Sequence, residues 1–279
     1  MSKAKIINGK AIAIEIQKEV ADQITKLNII PSLAVILIGN DKASHLYVSL
    51  KKKAAQKAGI EISLYSFKED STQESIIKTI KFLNKDKEID AILVQLPLPS
   101  RLDEDKIIKA IDPKKDVDGF HPENIKKILL SESEIFSPLN MGILQLLTST
   151  SENLKNKNAV IVARSKEFTS TLSHILNDFE INTKSINPDD KNNKHLLNDA
   201  DIVISAIGKP NWICADDIKQ NAILIDVGTT RVKGKTIGDI DFESCSKKAS
   251  WITPVPGGVG PMTVALLLKN TISLACNNK

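Results

Sequence analysis

Short, nearly unbroken apolar runs recur along both halves of the chain, each followed by a stretch with helical spacing. Leu33-Ala34-Val35-Ile36-Leu37-Ile38 stops at Gly39, as a strand buried on both faces does. Residues 44–58 have helical spacing and close on Gly59. Residues 60–67 alternate as a strand, 75–83 are helical, and Ala91-Ile92-Leu93-Val94-Gln95-Leu96 is a second buried strand ended by Pro97 and Pro99. A β-α-β-α-β series dictates a parallel sheet with helices on its faces. The second half repeats the style. Residues 138–148 and 171–177 are helical, residues 159–163, 201–208 and 222–228 are strands, residues 253–261 form a turn-rich loop, and residues 262–275 are the last helix.

This pattern predicts two α/β domains with a boundary in the polar stretch 131–137, ahead of Pro138. The length of 279 residues suits two domains. Residues 1–10 carry no apolar run of signal-peptide length, and no stretch approaches a membrane span. Cys214, Cys245 and Cys276 form no CxxC and leave one over, which fits a reducing cytoplasm. The four histidines form no metal-spaced cluster, so no metal is expected. A net charge of +4, from 38 basic and 34 acidic residues, is too mild to indicate nucleic acid but admits an anionic small substrate. Neither nucleic acid nor membrane is expected as a partner.

On the first long helix, Tyr47, Lys51, Ala54, Ala55 and Ala58 share one face, while Lys52, Lys53 and Lys57 lie off it. A lysine inside a packed stripe either extends its ammonium to water or holds it partly desolvated with a lowered pKa; periodicity alone favours the first. Gln95 ends a buried strand, and a parallel sheet binds ligands beyond the carboxyl ends of its strands. Gln95 either bonds a ligand or Lys51, or caps local backbone. Asp118-Gly119 is an ordinary turn signal. Gly257-Gly258-Val259-Gly260 either lets backbone approach an anion or makes a tight turn.

Four segments together resemble the bifunctional methylenetetrahydrofolate dehydrogenase/methenyltetrahydrofolate cyclohydrolase family. They are Ile38-Gly39-Asn40-Asp41-Lys42-Ala43-Ser44 with Tyr47 and Lys51; Ile92-Leu93-Val94-Gln95-Leu96-Pro97-Leu98-Pro99; Lys115-Asp116-Val117-Asp118-Gly119-Phe120-His121-Pro122; and Thr253-Pro254-Val255-Pro256-Gly257-Gly258-Val259-Gly260-Pro261-Met262-Thr263. The resemblance covers about residues 7–271. It implies two α/β domains, the second Rossmann-like, with an active-site cleft between them. It assigns residues 1–137 and 262–279 to the folate domain and 138–261 to the dinucleotide domain. It also implies a homodimer that acts on tetrahydrofolate derivatives. Lys51 matches the catalytic lysine, Tyr47 the stacking tyrosine, Gln95 the glutamine that tunes the lysine, and Asp118 the aspartate that holds the pterin. Pro256, Gly257 and Gly258 fall at the substrate, and Ala163, Arg164, Ser165 and Thr229 at the cofactor, NADP or alternatively NAD.

The cofactor half departs from the family. Where the family has Gly-Arg-Ser-x-x-Val-Gly-x-Pro, this chain has Ala163-Arg164-Ser165-Lys166-Glu167-Phe168-Thr169-Ser170-Thr171. The glycines that let phosphates approach backbone are replaced at Ala163 and Thr169. Arg164 and Ser165 are expected to face a 2′-phosphate, while Asp189 and Asp190 oppose it. Weak dinucleotide binding with a reduced preference for NADP follows. Three readings are open: a bifunctional enzyme, a cyclohydrolase with little dehydrogenase activity, and a non-catalytic folate-binding protein.

Overall fold

The computed structural model describes residues 3–277. The chain divides into two compact units, Met1–Ile12 with Leu139–Thr263, and Ala13–Pro138 with Val264–Lys279. In chain order the elements are β1 (Lys5–Ile6), α1 (Gly9–Leu27), β2 (Ser32–Ile38), α2 (Lys42–Ala58), β3 (Glu61–Phe67), α3 (Gln73–Lys85), β4 (Ala91–Val94), α4 (Glu104–Ile108) and α5 (Pro122–Leu129). Then follow α6 (Pro138–Thr148), β5 (Asn158–Ala163), α7 (Lys166–Asp178), β6 (Asn182–Ile186), β7 (Ile202–Ala206), β8 (Ile223–Asp226), β9 (Thr230–Val232), β10 (Lys235–Ile237), α8 (Phe242–Cys245), β11 (Trp251–Ile252) and α9 (Val259–Asn277).

The unit that contains α2 is built on a parallel sheet of order β3-β2-β4. β2 is central and buried along its whole length, which is why its sequence is apolar without alternation. Thr72 caps α3, and Ile76, Ile80 and Leu83 on one face of that helix pack into the core with Ile36, Ile92 and Val94. A parallel bridge from Ile92 to Asp116 carries the pairing one segment past β4.

The other unit is a six-stranded parallel sheet, β1-β11-β8-β7-β5-β6. Residues 3–12 belong here and not with the folate half as expected, because β1 pairs in parallel with β11. α7 begins at Lys166, five residues before the expected start, because Ser165 caps it by accepting from the Phe168 N–H. α9 likewise begins at Val259. By length and composition it is the one described helix that could cross a membrane, contrary to the sequence reading, but 61% of that stretch is buried inside the protein. It is a core helix.

At the base of the β9–β10 hairpin two glycines and two buried aspartates interlock. A Cβ on Gly228 would overlap the Asp239 carboxylate, and one on Gly238 would overlap that of Asp226. Asp226 accepts from the N–H groups of Gly228, Asp239 and Ile240. Asp239 accepts from the Ser205 hydroxyl and the N–H groups of Ile207 and Lys209. Each carboxylate thus has three donors. Gly238→Ala should cost about 1–3 kcal/mol of stability, the usual range for overpacking a tight site. Urea unfolding with an unchanged midpoint would show that the interlock yields freely.

Candidate active site

Asp41 fixes the start of α2 by accepting from the Ser44 N–H at 2.7 Å, and Gly59 ends it at φ 87°. Between these caps Val48, Ala55 and Ala58 are buried, Tyr47, Lys51 and Ala54 are half-buried, and Lys52, Lys53 and Lys57 are exposed. Lys51 therefore lies on the inward stripe, one turn after Tyr47. Its Nζ donates to Gln95 Oε1 at 3.0 Å. Both sequence readings of Gln95 hold, since its Nε2 donates to the Leu96 carbonyl at 2.6 Å. Its backbone N–H donates to the Ile36 carbonyl, which anchors it at the sheet edge. The amide nitrogen is thereby occupied, and the oxygen is turned to the lysine.

Burial lowers the pKa of Lys51, opposed by the charge of Asp118. Gln95 is neutral, so it holds the ammonium in place without the charge that would restore its ordinary pKa.

Asp118 follows the bridge to β4 and so reaches the same edge. Its loop is tied down on several sides. Asp116 Oδ2 accepts from the His121 N–H at 2.7 Å and from Asn124 Nδ2 at 2.9 Å. Asn270 Nδ2 donates to the Val117 carbonyl at 2.9 Å and the Phe136 carbonyl at 2.8 Å. Lys115 Nζ donates to the carbonyls of Leu83 and Asp86. Gly119 has φ 68°, and a Cβ on it would lie 3.3 Å from the Ser137 nitrogen. No described side chain or N–H donates to the Asp118 carboxylate itself. Burial pushes it up to about 6, with Lys51 pulling it down and Asp116 pushing it further up. It is a carboxylate whose acceptor capacity the described residues leave unused.

Sequence reasoning did not single out Asp116, Asn124 or Asn270. Asp116 was within reach, two positions before Asp118 in the same quoted segment. The two asparagines act over distance and leave no local signal.

The remaining expected positions lie in the other unit. Pro256 is exposed and follows a cis peptide bond. Gly257 has φ 112°, and its carbonyl accepts from the Lys10 N–H. A Cβ on Gly258 would stand 2.8 Å from both the Pro254 carbonyl oxygen and Thr253 Cβ, as a tight turn requires. Ala163 is the buried last residue of β5, and Thr229 is exposed after β8. The Ser165 hydroxyl is occupied as the cap of α7 and donates to Glu167 Oε2 at 3.1 Å. The Thr169 hydroxyl bonds the Lys166 carbonyl within the same helix. The guanidinium of Arg164 binds Asp189, through Nε at 2.9 Å and Nη2 at 3.2 Å. Of the two acids expected to oppose a phosphate, only Asp189 is placed at Arg164. Asp190 instead caps the 3₁₀ helix of residues 191–199, accepting from the Asn192 N–H and Asn193 Nδ2. Among the described residues no three His, Cys, Asp or Glu side chains are grouped to hold a metal ion.

Comparison with known proteins shows the family. Residues 7–118 match the tetrahydrofolate dehydrogenase/cyclohydrolase catalytic domain, and residues 137–279 match the NAD(P)-binding domain of the same family. The chain is 42% identical to the bifunctional protein FolD of Acetivibrio thermocellus, covering 98% of this chain and 97% of the relative. It is 43% identical to FolD of Campylobacter hominis, covering 98% of each. Among solved structures, the bifunctional FolD enzyme of Campylobacter jejuni superposes with a TM-score of 0.93 at 37% identity, over 99% of this chain and 100% of that one. The Trypanosoma brucei enzyme, complexed with NADP cofactor and an inhibitor, gives 0.94 at 32% identity over 99% of each chain.

The electrostatics of this edge can be checked without substrate. The Asp118 carboxyl carbon should titrate near 6 by NMR, and Lys51→Met should move that value upward by removing the nearby positive charge. Its folded pKa lies above the unfolded one, so its contribution to stability is full below about 4 and lost as pH rises through about 6. Asp118→Asn should therefore not lower the melting temperature at pH 8. A fall of several degrees there would mean that the carboxylate stabilises the fold.

Proposed function

Because the chain belongs to the tetrahydrofolate dehydrogenase/cyclohydrolase family, we propose that it is a bifunctional enzyme of folate one-carbon metabolism. It oxidises 5,10-methylenetetrahydrofolate to the methenyl cation and hydrolyses that cation to 10-formyltetrahydrofolate. The observation that carries this reading is Lys51 held at 3.0 Å by neutral Gln95, on the same sheet edge as the Asp118 carboxylate, to which no described residue donates.

Asp118 accepts from the paired N–H donors of the pterin's aminopyrimidine edge, and Tyr47 stacks on the folate. In the hydrolytic step the oxygen of water bonds to the methenyl carbon. The nitrogen of Lys51, whose pKa burial lowers, takes the proton that leaves. As the bond from that carbon to N5 breaks, N5 gains a proton and the new hydroxyl loses one, so one proton is released in all. Gln95 keeps Nζ in place through both transfers.

The oxidative step needs a dinucleotide, and the unit built on six strands fits one. Strand order reverses between β5 and β7, where parallel sheets bind dinucleotides. Beyond β7, Gly208 has φ 73° and open space where a side chain would stand. Ala163 and Arg164 lie at the end of β5, and Thr229 after β8. NADP, the cofactor in the trypanosomal structure, accepts the hydride when bound.

Two further readings accompany this one. The enzyme is a homodimer joined through the face that bears β3, an edge strand on which Leu64 is exposed, and α2, on which Leu46 and Leu50 are exposed. It works in the cytoplasm, a reading supported by three unpaired cysteines, Cys214, Cys245 and Cys276.

Lys51→Met should fold normally and hydrolyse the methenyl substrate at close to the uncatalysed rate. Methylenetetrahydrofolate-dependent reduction of NADP by the parent enzyme tests the oxidative half. Hydrolysis by the variant at the parent rate would remove Lys51 from the mechanism. Leu64→Lys should shift the mass in light scattering from dimer toward monomer, and an unchanged mass would place the contact elsewhere.

A further inference from the structure

Two residue types at the ends of the first strands of a dinucleotide domain select between the two nicotinamide dinucleotides. A carboxylate accepts from the ribose hydroxyls of NAD, whereas an arginine holds the 2′-phosphate of NADP. This chain has both, and they are bonded to each other. Arg164, just after β5, donates from Nε to Asp189 Oδ2 at 2.9 Å and from Nη2 to Oδ1 at 3.2 Å. Asp189 lies three residues beyond β6, the neighbour of β5. The third arm of the guanidinium, Nη1, donates to the Ile207 carbonyl at 2.8 Å, across to the loop after β7. Lys209 in that loop donates from Nζ to Asp189 Oδ1 at 2.9 Å. One carboxylate therefore holds both cations at the switch point.

We propose that Asp189 sets the preference between NADP and NAD in this chain, by occupying Arg164 and Lys209, the two cations that a 2′-phosphate would need. The proposal rests on the dehydrogenase reading above. An unphosphorylated ribose finds an acceptor already in place and displaces nothing. A 2′-phosphate must draw both cations away from Asp189 and then sit beside its charge. The exchange is feasible because the cluster is open to water, with the side chains of Arg164, Asp189 and Lys209 44%, 54% and 43% exposed. Ion pairs at such sites hold only weakly. The bonds from Arg164 and Lys209 keep the Asp189 carboxyl at about 2, so it stays charged throughout the working pH range.

The test is calorimetric titration of NADP and NAD into the full-length parent, Asp189→Asn, Asp189→Asn with Arg164→Gln, and Asp190→Asn. Asp189→Asn should tighten NADP roughly tenfold, the scale of one charge-assisted pair gained, and should not tighten NAD. Adding Arg164→Gln should abolish the gain. Asp190→Asn, at the helix cap beside it, should leave the ratio of the two affinities within about twofold of the parent, the expectation for a carboxylate away from the phosphate. A ratio unchanged by Asp189→Asn, or both dinucleotides tightened alike, would overturn the role of Asp189 and leave the dehydrogenase assignment standing. A parent that binds neither dinucleotide, yet hydrolyses the methenyl substrate, would overturn the oxidative half of the functional reading and this proposal with it.

Discussion

In a parallel sheet every strand ends on the same side, and the candidate site is a consequence of that direction. β2, β3 and β4 run together, and the bridge at Asp116 adds a fourth segment in the same sense. Residues that follow these segments are delivered to one edge, so Gln95 after β4 and Asp118 after the bridge arrive as neighbours. α2 adds Lys51 from the helix that follows β2. The electrostatics then depend on who bonds whom. A direct ion pair would hold Lys51 charged and Asp118 ionised, and each would saturate the other. Instead the lysine donates to a neutral amide, and no described residue donates to the carboxylate. Burial then works on both groups, lowering one pKa and raising the other, and both stay available for chemistry.

The same directional rule acts in the six-stranded sheet with the opposite electrostatic outcome. Arg164 and Lys209, delivered after β5 and β7, do meet their carboxylate. The difference is water. A half-exposed cluster is screened, so its partners exchange at small cost and suit a place where anions of different charge compete. A group held at a buried edge cannot exchange so freely, and suits a proton that must move along one route.

Much of this was legible in the sequence, for reasons that can be given residue by residue. The uninterrupted run of β2 implied burial on both faces. Gly59 and the small residues Ala54, Ala55 and Ala58 fixed the end and the inward face of α2, whereas its start lies two residues before the expected residue 44 because Asp41 caps it. The position of Gln95 beyond a strand already offered Lys51 as a partner. What stayed hidden was nonlocal or masked by analogy. β1 is two residues long and pairs with β11, at the far end of the sequence. α1 is an exception: Asn8 caps it by accepting from the Ala11 N–H at 3.1 Å, a local signal that the sequence reading passed over. The family's glycines make the first turn of α7 look like a cofactor loop, although Ser165 ahead of Phe168 is a sound cap signal in its own right. Asp189 and Asp190 are indistinguishable as a dipeptide, and only the fold turns one toward Arg164 and the other into a helix cap.

The exposed cluster is not free to wander, and the reason lies in the interlock beneath it. Asp239 accepts from the N–H groups of Ile207 and Lys209, the residues whose carbonyl and side chain engage Arg164 and Asp189. Asp239 is itself positioned by Asp226, which accepts from its N–H, and the two carboxylates fit only because residues 228 and 238 lack side chains. Backbone at the switch point is thus set by fully bonded buried acids, while the groups that would touch a cofactor are half-exposed surface side chains. Such a division lets a side-chain replacement at position 189 alter the anion that is accepted without disturbing the strands that carry it. A replacement at position 226 would instead strip three N–H groups of their acceptor inside the protein, and one at position 239 two N–H groups and the Ser205 hydroxyl, where each unpaired donor costs about 1–3 kcal/mol.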